Sequence, residues 1–185
     1  MIGVLVSGSG TNLQALLDAG LPVIAVASNT PGAGALERAA RAGVATAVFE
    51  LESYASRAER DDAMADWLDA RGVDLVVAAG YMHLLTSGFL ERFPCINVHP
   101  SLLPRFPGAH AVEDALAAGV AETGVTVHFL DEGVDTGPVI AQERVPVEPG
   151  DTVDTLHARI QEREHRLLPA AVGRYLAQKL GSGVQ

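Results

Sequence analysis

The first half of the chain alternates short, uninterrupted apolar runs with amphipathic stretches, and this alternation limits the possible folds more than any other feature. The apolar runs are Ile2–Val6, Pro22–Ser28, Thr46–Phe49, Val73–Ala79 and Ile96–His99. Helical patterns separate them, at Asn12–Ala19, Ala35–Ala42 and Arg57–Ala70. Continuous apolar strands separated by helices are typical of a parallel sheet that is covered on both faces.

The second half of the chain follows a different pattern. Gly124–Leu130 alternates apolar and polar residues, and Val139–Val147 follows it closely, which favours antiparallel strands at the sheet edge. Ala111–Ala118 predicts a short helix and Thr152–Leu180 a long one. We therefore predict a single-domain, Rossmann-like, three-layer α/β fold with a mostly parallel central sheet and antiparallel strands added in the C-terminal half. The domain is expected over residues 1–180, with residues 181–185 as a disordered tail.

Composition excludes several classes of function. The net charge of −10 disfavours binding to nucleic acid or to anionic membranes. A single cysteine, Cys95, excludes an internal disulfide framework and a cysteine-rich zinc site. No apolar run approaches the length of a membrane span, and the N-terminus lacks a signal-peptide pattern, so we expect a cytoplasmic protein.

An amide and an imidazole stand two positions apart at the end of a predicted strand. Asn97 and His99 should share one face of that strand, which Pro100 is expected to end. Asn can donate a hydrogen bond to a developing oxyanion, and His can move a proton near neutral pH. A capped turn, with the histidine bonded to the backbone, is the slightly favoured interpretation of this segment taken alone.

A glycine loop, Ser7–Leu13, joins the first strand to the first helix. Glycines let the backbone come close to a ligand, and free amides at a helix N-terminus bind phosphate. The loop is neither a Walker A motif nor a dinucleotide fingerprint, so a phosphomonoester fits it better. A plain tight turn is the alternative.

A second loop, Asp131–Pro138, could bring the Asp135 carboxylate towards His99, where it would orient the ring. In isolation, such an Asp-Thr-Gly-Pro turn is common. The spacing of His99, His110 and His128 does not match a metal-ligand motif, so no metal is expected.

Three segments then occur in one order along the chain: Ser7–Leu16, Ile96–Pro104 and Gly124–Ile140. Together they resemble the glycinamide ribonucleotide (GAR) formyltransferases, folate-dependent enzymes of purine biosynthesis. The resemblance extends from Met1 to about Leu180. It implies that 10-formyltetrahydrofolate donates a formyl group to the amine of GAR, by direct attack of that amine. The N-terminal half would hold GAR and the C-terminal half the folate.

The resemblance also implies roles for individual residues. The implied catalytic set is Asn97, His99 and Asp135. The implied contacts to the phosphate and ribose of GAR are Gly10, Thr11, Asn12 and Glu164, with Arg57 expected to reach the phosphate. The implied folate-binding residues are Met82, His83, Leu84, Leu85, Asp131 and Val134. One position departs from the family, which usually has arginine where His83 stands.

Two other functions remain open from the sequence. The same chemistry could serve another amine acceptor, such as an amino sugar nucleotide, although the compact glycine loop argues against a nucleotide-sugar pocket. A folate-binding module without catalysis would not need Asn97, His99 and Asp135 together. The expected partners are small molecules, and the chain is expected to be a monomer or a homodimer.

Overall fold

A computed structural model describes residues 1–182 of the chain. The strands are β1 Ile2–Val6, β2 Val23–Ser28, β3 Ala45–Val48, β4 Leu75–Ala78, β5 Cys95–His99, β6 Glu122–Phe129 and β7 Val139–Pro146. The α-helices are α1 Thr11–Asp18, α2 Gly34–Arg41, α3 Arg57–Asp69, α4 Ser87–Arg92, α5 Ala111–Ala117 and α6 Val153–Ser182. A short 3-10 helix, Leu51–Ser53, precedes α3.

The strands form one sheet in the order β3-β2-β1-β4-β5-β6-β7. Strands β1 to β5 pair in parallel, whereas β6 pairs antiparallel with both β5 and β7. The predicted three-layer fold, with antiparallel strands added in the C-terminal half, is therefore confirmed. Since β1, β4 and β5 are neighbours and parallel, the loops after them meet at one edge of the sheet.

Alternating side chains of the strands build a core on each face of the sheet. On one face, Val4 and Val6 of β1 pack in a cluster with α1, α2, α5 and α6. On the other face, Leu5 of the same strand belongs to a smaller cluster with α3 and α4. Because successive strand residues point to opposite faces, β1 is buried on both sides, as its continuous apolar run predicts.

Differences from the predicted elements are small and have local causes. Strand β4 begins at Leu75 rather than Val73, because the Val73 N–H bonds to the Leu68 carbonyl and closes α3. Helix α4 is absent from the sequence prediction, since six residues carry too little periodicity to show a helix. Helix α6 extends to Ser182, so the first two residues of the predicted tail are helical. The remaining tail, residues 183–185, lies outside the described residues.

Gly10 is the N-cap of α1 and sets how closely the glycine loop approaches α2. Its φ of 76° lies in the left-handed region, where a residue without Cβ is favoured. A Cβ on Gly10 would lie 2.6 Å from both Cα and Cβ of Ala35, the second residue of α2. The Ala35 N–H also bonds to the Gly8 carbonyl, at 3.1 Å. The loop therefore rests directly on the start of α2.

Replacing Gly10 with alanine should destabilise the fold more than the same change at Gly20. Gly20 also has a positive φ, of 68°, but a Cβ there would contact nothing within 4 Å. Gly20→Ala should cost about 1 kcal/mol for the left-handed backbone. Gly10→Ala should cost about 1–3 kcal/mol more, because the added methyl group overpacks against Ala35. Urea denaturation of both variants measures the difference, and equal losses would contradict the close approach.

Candidate functional site

A cavity of about 690 Å³ opens at the sheet edge where the loops after β1, β4 and β5 meet. Its walls come from the glycine loop, residues 78–85, the end of β5, the start of α5, the loop after β6 and one face of α6. All but one of the predicted site residues line it: Gly10, Thr11, Asn12, Met82, His83, Leu84, Leu85, Asn97, His99, Asp131, Val134, Asp135 and Glu164. The exception is Arg57, an exposed residue at the start of α3.

Strand β5 presents Asn97 and His99 on the same face, as the two-residue spacing predicts. The strand ends at His99, directly before Pro100. In the antiparallel register with β6, Asn97 lies opposite His128, and His99 lies opposite Thr126. The four polar side chains therefore form one patch, while Val98 and Val127 point into the core on the other face.

Both ring nitrogens of His99 face hydrogen-bond acceptors. Nε2 lies 2.8 Å from the Phe106 carbonyl oxygen, which only accepts, so Nε2 carries a proton. Nδ1 lies 3.4 Å from Oδ2 of Asp135. The ring is buried, with 5% of its surface exposed. The Phe106 carbonyl and the Asp135 carboxylate therefore fix the orientation of the ring.

Asp135 bridges the two histidines of the site. Its Oδ2 accepts a hydrogen bond of 2.8 Å from the Gly108 N–H, and its Oδ1 lies 3.5 Å from Nε2 of His128. Burial alone would raise the pKa of Asp135. Hydrogen bonds from His128 and Gly108, and the positive potential of the two histidines, instead leave that pKa below its usual value. The carboxylate is therefore ionised at neutral pH.

Two partners of His99 have left-handed backbones. The φ angle is 53° at Phe106 and 55° at Asp135, in a region that is unfavourable for residues other than glycine. Such strain costs on the order of 1 kcal/mol at each residue and often marks functional sites. Here it directs one carbonyl and one carboxylate at the same imidazole.

His128 belongs to this site, although the sequence analysis did not include it among the site residues. Its Nδ1 lies 2.8 Å from the Phe129 carbonyl oxygen and therefore carries a proton. Its Nε2 faces both Nδ2 of Asn97, at 3.2 Å, and Oδ1 of Asp135, at 3.5 Å. A protonated Nε2 bonds to the carboxylate, whereas an unprotonated Nε2 accepts from the amide. The polar alternation of β6 was the available signal, but only the strand register identifies the partner.

The opposite wall of the cavity joins the glycine loop to α6. Nδ2 of Asn12 donates a hydrogen bond of 2.9 Å to Oε2 of Glu164, and both side chains are buried. The N-cap of α1 is Gly10, which has no side chain to cap the helix. The first amides of α1 therefore have no capping side chain at this position and can bind an anion.

Large apolar side chains are exposed along another wall of the cavity. The exposed fractions are 64% for Met82, 52% for Leu84 and 49% for Val134. Exposed apolar groups that line a concave site are typical of positions that a ligand covers. This wall is therefore suited to a flat apolar or aromatic group.

Within residues 1–182, His, Cys, Asp and Glu side chains form no group of three or more that could hold a metal ion. None of the helices in the same range has the length and hydropathy of a membrane span.

Comparisons with known proteins agree on one family. The formyl transferase family model matches residues 1–172. The phosphoribosylglycinamide formyltransferase of Mycobacterium tuberculosis is 48% identical over 176 residues, covering 91% of this chain and 81% of that protein. The trifunctional purine biosynthetic protein adenosine-3 of Gallus gallus is 45% identical over 179 residues, which cover 92% of this chain. The chain spans only 18% of the length of that relative.

A solved structure supports the same assignment. Phosphoribosylglycinamide formyltransferase from Streptococcus pneumoniae superimposes with a TM-score of 0.91 at 44% sequence identity. The match covers 95% of this chain and 98% of that one. Since both the family model and the relatives cover most of the sequence, the chain belongs to the formyl transferase family.

Proposed function

We propose that this protein transfers the formyl group of 10-formyltetrahydrofolate to the primary amine of GAR, in purine biosynthesis. The observation that carries the proposal is a single cavity with two chemically different walls and a polar cluster between them. Asn97, His99 and Asp135 form that cluster. The names of the relatives support phosphoribosylglycinamide as the acceptor and formyl as the group transferred.

The acceptor side consists of the glycine loop and α6. The backbone amides at Gly10, Thr11 and Asn12 suit the phosphate of GAR, since the N-terminus of a helix favours an anion. Glu164 suits the ribose hydroxyls, because a buried carboxylate accepts hydrogen bonds from neighbouring hydroxyls. Arg57 does not line the cavity, so we do not assign it a contact to the phosphate.

The donor side consists of residues 82–85 and the loop after β6. Met82, Leu84 and Val134 are exposed apolar side chains that the aromatic rings of a folate would cover. His83, Leu85 and Asp131 also line this wall. The cluster of Asn97, His99 and Asp135 lies between the two sides, where an amine and a formyl group could meet.

The proposed reaction is direct attack of the GAR amine on the formyl carbon. The new C–N bond forms and the formyl oxygen becomes negatively charged in a tetrahedral intermediate. The Asn97 amide donates a hydrogen bond to that oxygen. The amine then loses a proton, the bond between the formyl carbon and N10 breaks, and N10 receives a proton. The products are formyl-GAR and tetrahydrofolate.

We assign the proton transfer to Asp135, acting through water, with His99 orienting it. The lowered pKa keeps Asp135 ionised, so it can accept a proton from the positively charged amine of the intermediate. His99 holds the carboxylate with Nδ1 and is itself held by the Phe106 carbonyl through Nε2. A hydrogen bond from His99 to the oxyanion would require the ring to leave that carbonyl.

The direct test follows 10-formyltetrahydrofolate by its absorbance, with and without GAR. Formyl transfer that requires GAR supports the proposal. Loss of the formyl group without GAR would instead indicate a deformylase. Absence of turnover with GAR, together with measurable folate binding, would indicate another acceptor or a folate-binding module.

Asn97→Ala should lower kcat by about a hundred- to a thousandfold, because one oxyanion donor is lost. Asn97→Asp keeps the shape but replaces the donating amide with an acceptor, so it should be at least as severe. Circular dichroism and substrate binding should remain close to those of the unchanged protein. An Asn97→Asp variant that retains normal kcat would exclude the proposed role.

Glu164→Gln should raise the KM for GAR by about tenfold, since hydrogen bonds to a charged group contribute roughly 1.5–3 kcal/mol. The KM for the folate should change little, because Glu164 belongs to α6 on the acceptor side, whereas Met82 and Leu84 belong to the donor side. Glu162→Gln is the matched control, as Glu162 is an exposed residue on the same helix and is not a lining residue. Steady-state kinetics with each substrate varied in turn will separate the two KM values. Equal effects of both variants would remove the assignment of Glu164.

A further inference from the structure

Residues 80–86, which follow β4, contain residues 82–85 of the donor side and are anchored by hydrogen bonds to polar side chains of the glycine loop and α3. The Met82 N–H donates to Oγ of Ser7, at 2.9 Å, and the Thr86 N–H donates to Oδ2 of Asp61, at 2.8 Å. Between these two anchors, His83 turns away from its exposed neighbours Met82 and Leu84. Its two ring nitrogens contact different parts of the protein.

One nitrogen of His83 contacts a buried ion pair of α3. Nη1 of Arg60 lies 2.9 Å from Nδ1 of His83, while Nε of Arg60 lies 2.7 Å from Oδ1 of Asp61. Both Arg60 and Asp61 are fully buried. A guanidinium group only donates hydrogen bonds, so Nδ1 of His83 accepts and the proton of the neutral ring is on Nε2.

The other nitrogen of His83 contacts Asn29, just after β2. Nε2 lies 3.2 Å from the side-chain amide of Asn29, whose other end lies 2.6 Å from Oγ of Ser7. In the structure Nδ2 of Asn29 faces His83, and Ser7 Oγ donates to Oδ1 of Asn29. Because Nε2 of His83 carries the proton, we assign the reversed amide, in which Oδ1 accepts from His83 and Nδ2 donates to Ser7 Oγ. A continuous chain of hydrogen bonds then runs from Arg60 through His83 and Asn29 to Ser7, in the glycine loop.

We propose that neutral His83 is a positioning residue that holds residues 80–86 against both α3 and the glycine loop, and that its protonation loosens this donor side of the cavity. A proton on Nδ1 would remove the acceptor for Arg60 and would put two positive groups in contact. The anchors at Ser7 and Asp61 flank His83, so both should respond. The expected change in folate binding rests on the proposed function, whereas the expected loosening of the anchors at Ser7 and Asp61 does not.

The charged groups around His83 support the neutral ring. Burial and the Arg60 guanidinium lower the pKa of His83 from 6.5, and Arg57 acts in the same direction. Glu52, from the 3-10 helix, and Asp61 oppose them, but the balance lowers the pKa. Since an unfolded chain then binds the proton more readily, the contribution of His83 to stability is present above pH 6.5 and is lost as the pH falls through the folded-state pKa.

The test is a nuclear magnetic resonance titration of the full chain from about pH 7.5 to about pH 5. We expect His83 to be neutral at the start, with its proton on Nε2. The amide signals of Met82 and Thr86 should shift with the same midpoint pH as the His83 ring signals. Over the same pH range, these two amides should lose their protection from hydrogen exchange. A proton on Nδ1 of His83 at neutral pH would overturn the proposal. Amide signals of Met82 and Thr86 that do not change as His83 titrates would also overturn it.

His83→Gln is the informative variant, because its amide can accept from Arg60 and donate to Asn29 but does not titrate. The pH-dependent step at Met82 and Thr86 should disappear in this variant. His110→Gln is the matched control, since His110 is an exposed histidine at the start of α5, and it should retain the step. Persistence of the step in His83→Gln would assign it to another group and overturn the proposal.

A second measurement tests whether the hydrogen bonds of His83 affect binding of the folate that donates the formyl group. The Kd of 10-formyl-5,8-dideazafolate, measured by calorimetry without GAR, should rise about fivefold more on acidification in the unchanged protein than in His83→Gln. Equal pH dependence in both proteins would overturn the positioning role. Absence of binding at any pH would contradict the proposed function instead, while the amide signals would still decide the state of the network.

Discussion

The register between β5 and β6 determines the composition of the candidate site. It pairs Asn97 with His128 and His99 with Thr126, so four polar side chains share one face. A shift of β6 by one residue would turn Thr126 and His128 towards the opposite face and bring Val127 to the side of Asn97 and His99. The turn after β5 helps to fix the register, because Thr126 Oγ1 donates to the Ser101 carbonyl and accepts from the Leu103 N–H.

Asn97, His99 and the approach of Asp135 to His99 could be predicted from the sequence, whereas the part of His128 could not. A two-residue spacing before a proline was enough to bring Asn97 and His99 together at the end of a strand. The role of His128 depends on the antiparallel register, which the sequence pattern does not define. The carboxylate of Asp135 reaches His99 from a loop whose left-handed backbone no periodicity predicts.

The arginines of α3 illustrate the same limit. Arg57 and Arg60 both lie on an acidic helix whose pattern suggests a charged outer surface. In the structure Arg57 is exposed, while Arg60 is fully buried with Asp61 and contacts His83. The burial results from the packing of residues 80–86 on α3, a contact between distant parts of the chain. A buried arginine needs an ionic partner and further acceptors, and here Asp61 and His83 supply them.

Backbone amides, rather than basic side chains, provide the groups of this cavity that can bind an anion. In the described part of the chain, its lining includes the carboxylates of Glu113, Asp131, Glu132, Asp135 and Glu164 but no lysine or arginine. A phosphate in this cavity would therefore depend on the amides of the glycine loop and the N-terminus of α1. Gly10 leaves these amides accessible to a ligand, although a glycine loses more backbone freedom on folding than other residues do. Its close approach to Ala35 holds the amides against α2. The glycine loop and the anchored donor side would then define the distance between the two proposed substrates.

A structure of the protein with GAR and a folate analogue that carries a non-transferable carbonyl group at N10 tests the central claim most directly. We expect both ligands in the one cavity, with the phosphate on the amides of the glycine loop. We also expect the GAR amine about 3–3.5 Å from the carbonyl carbon and the carbonyl oxygen within hydrogen-bond distance of Asn97. Binding of either ligand outside the cavity, or a carbonyl oxygen directed away from Asn97, would contradict the central claim.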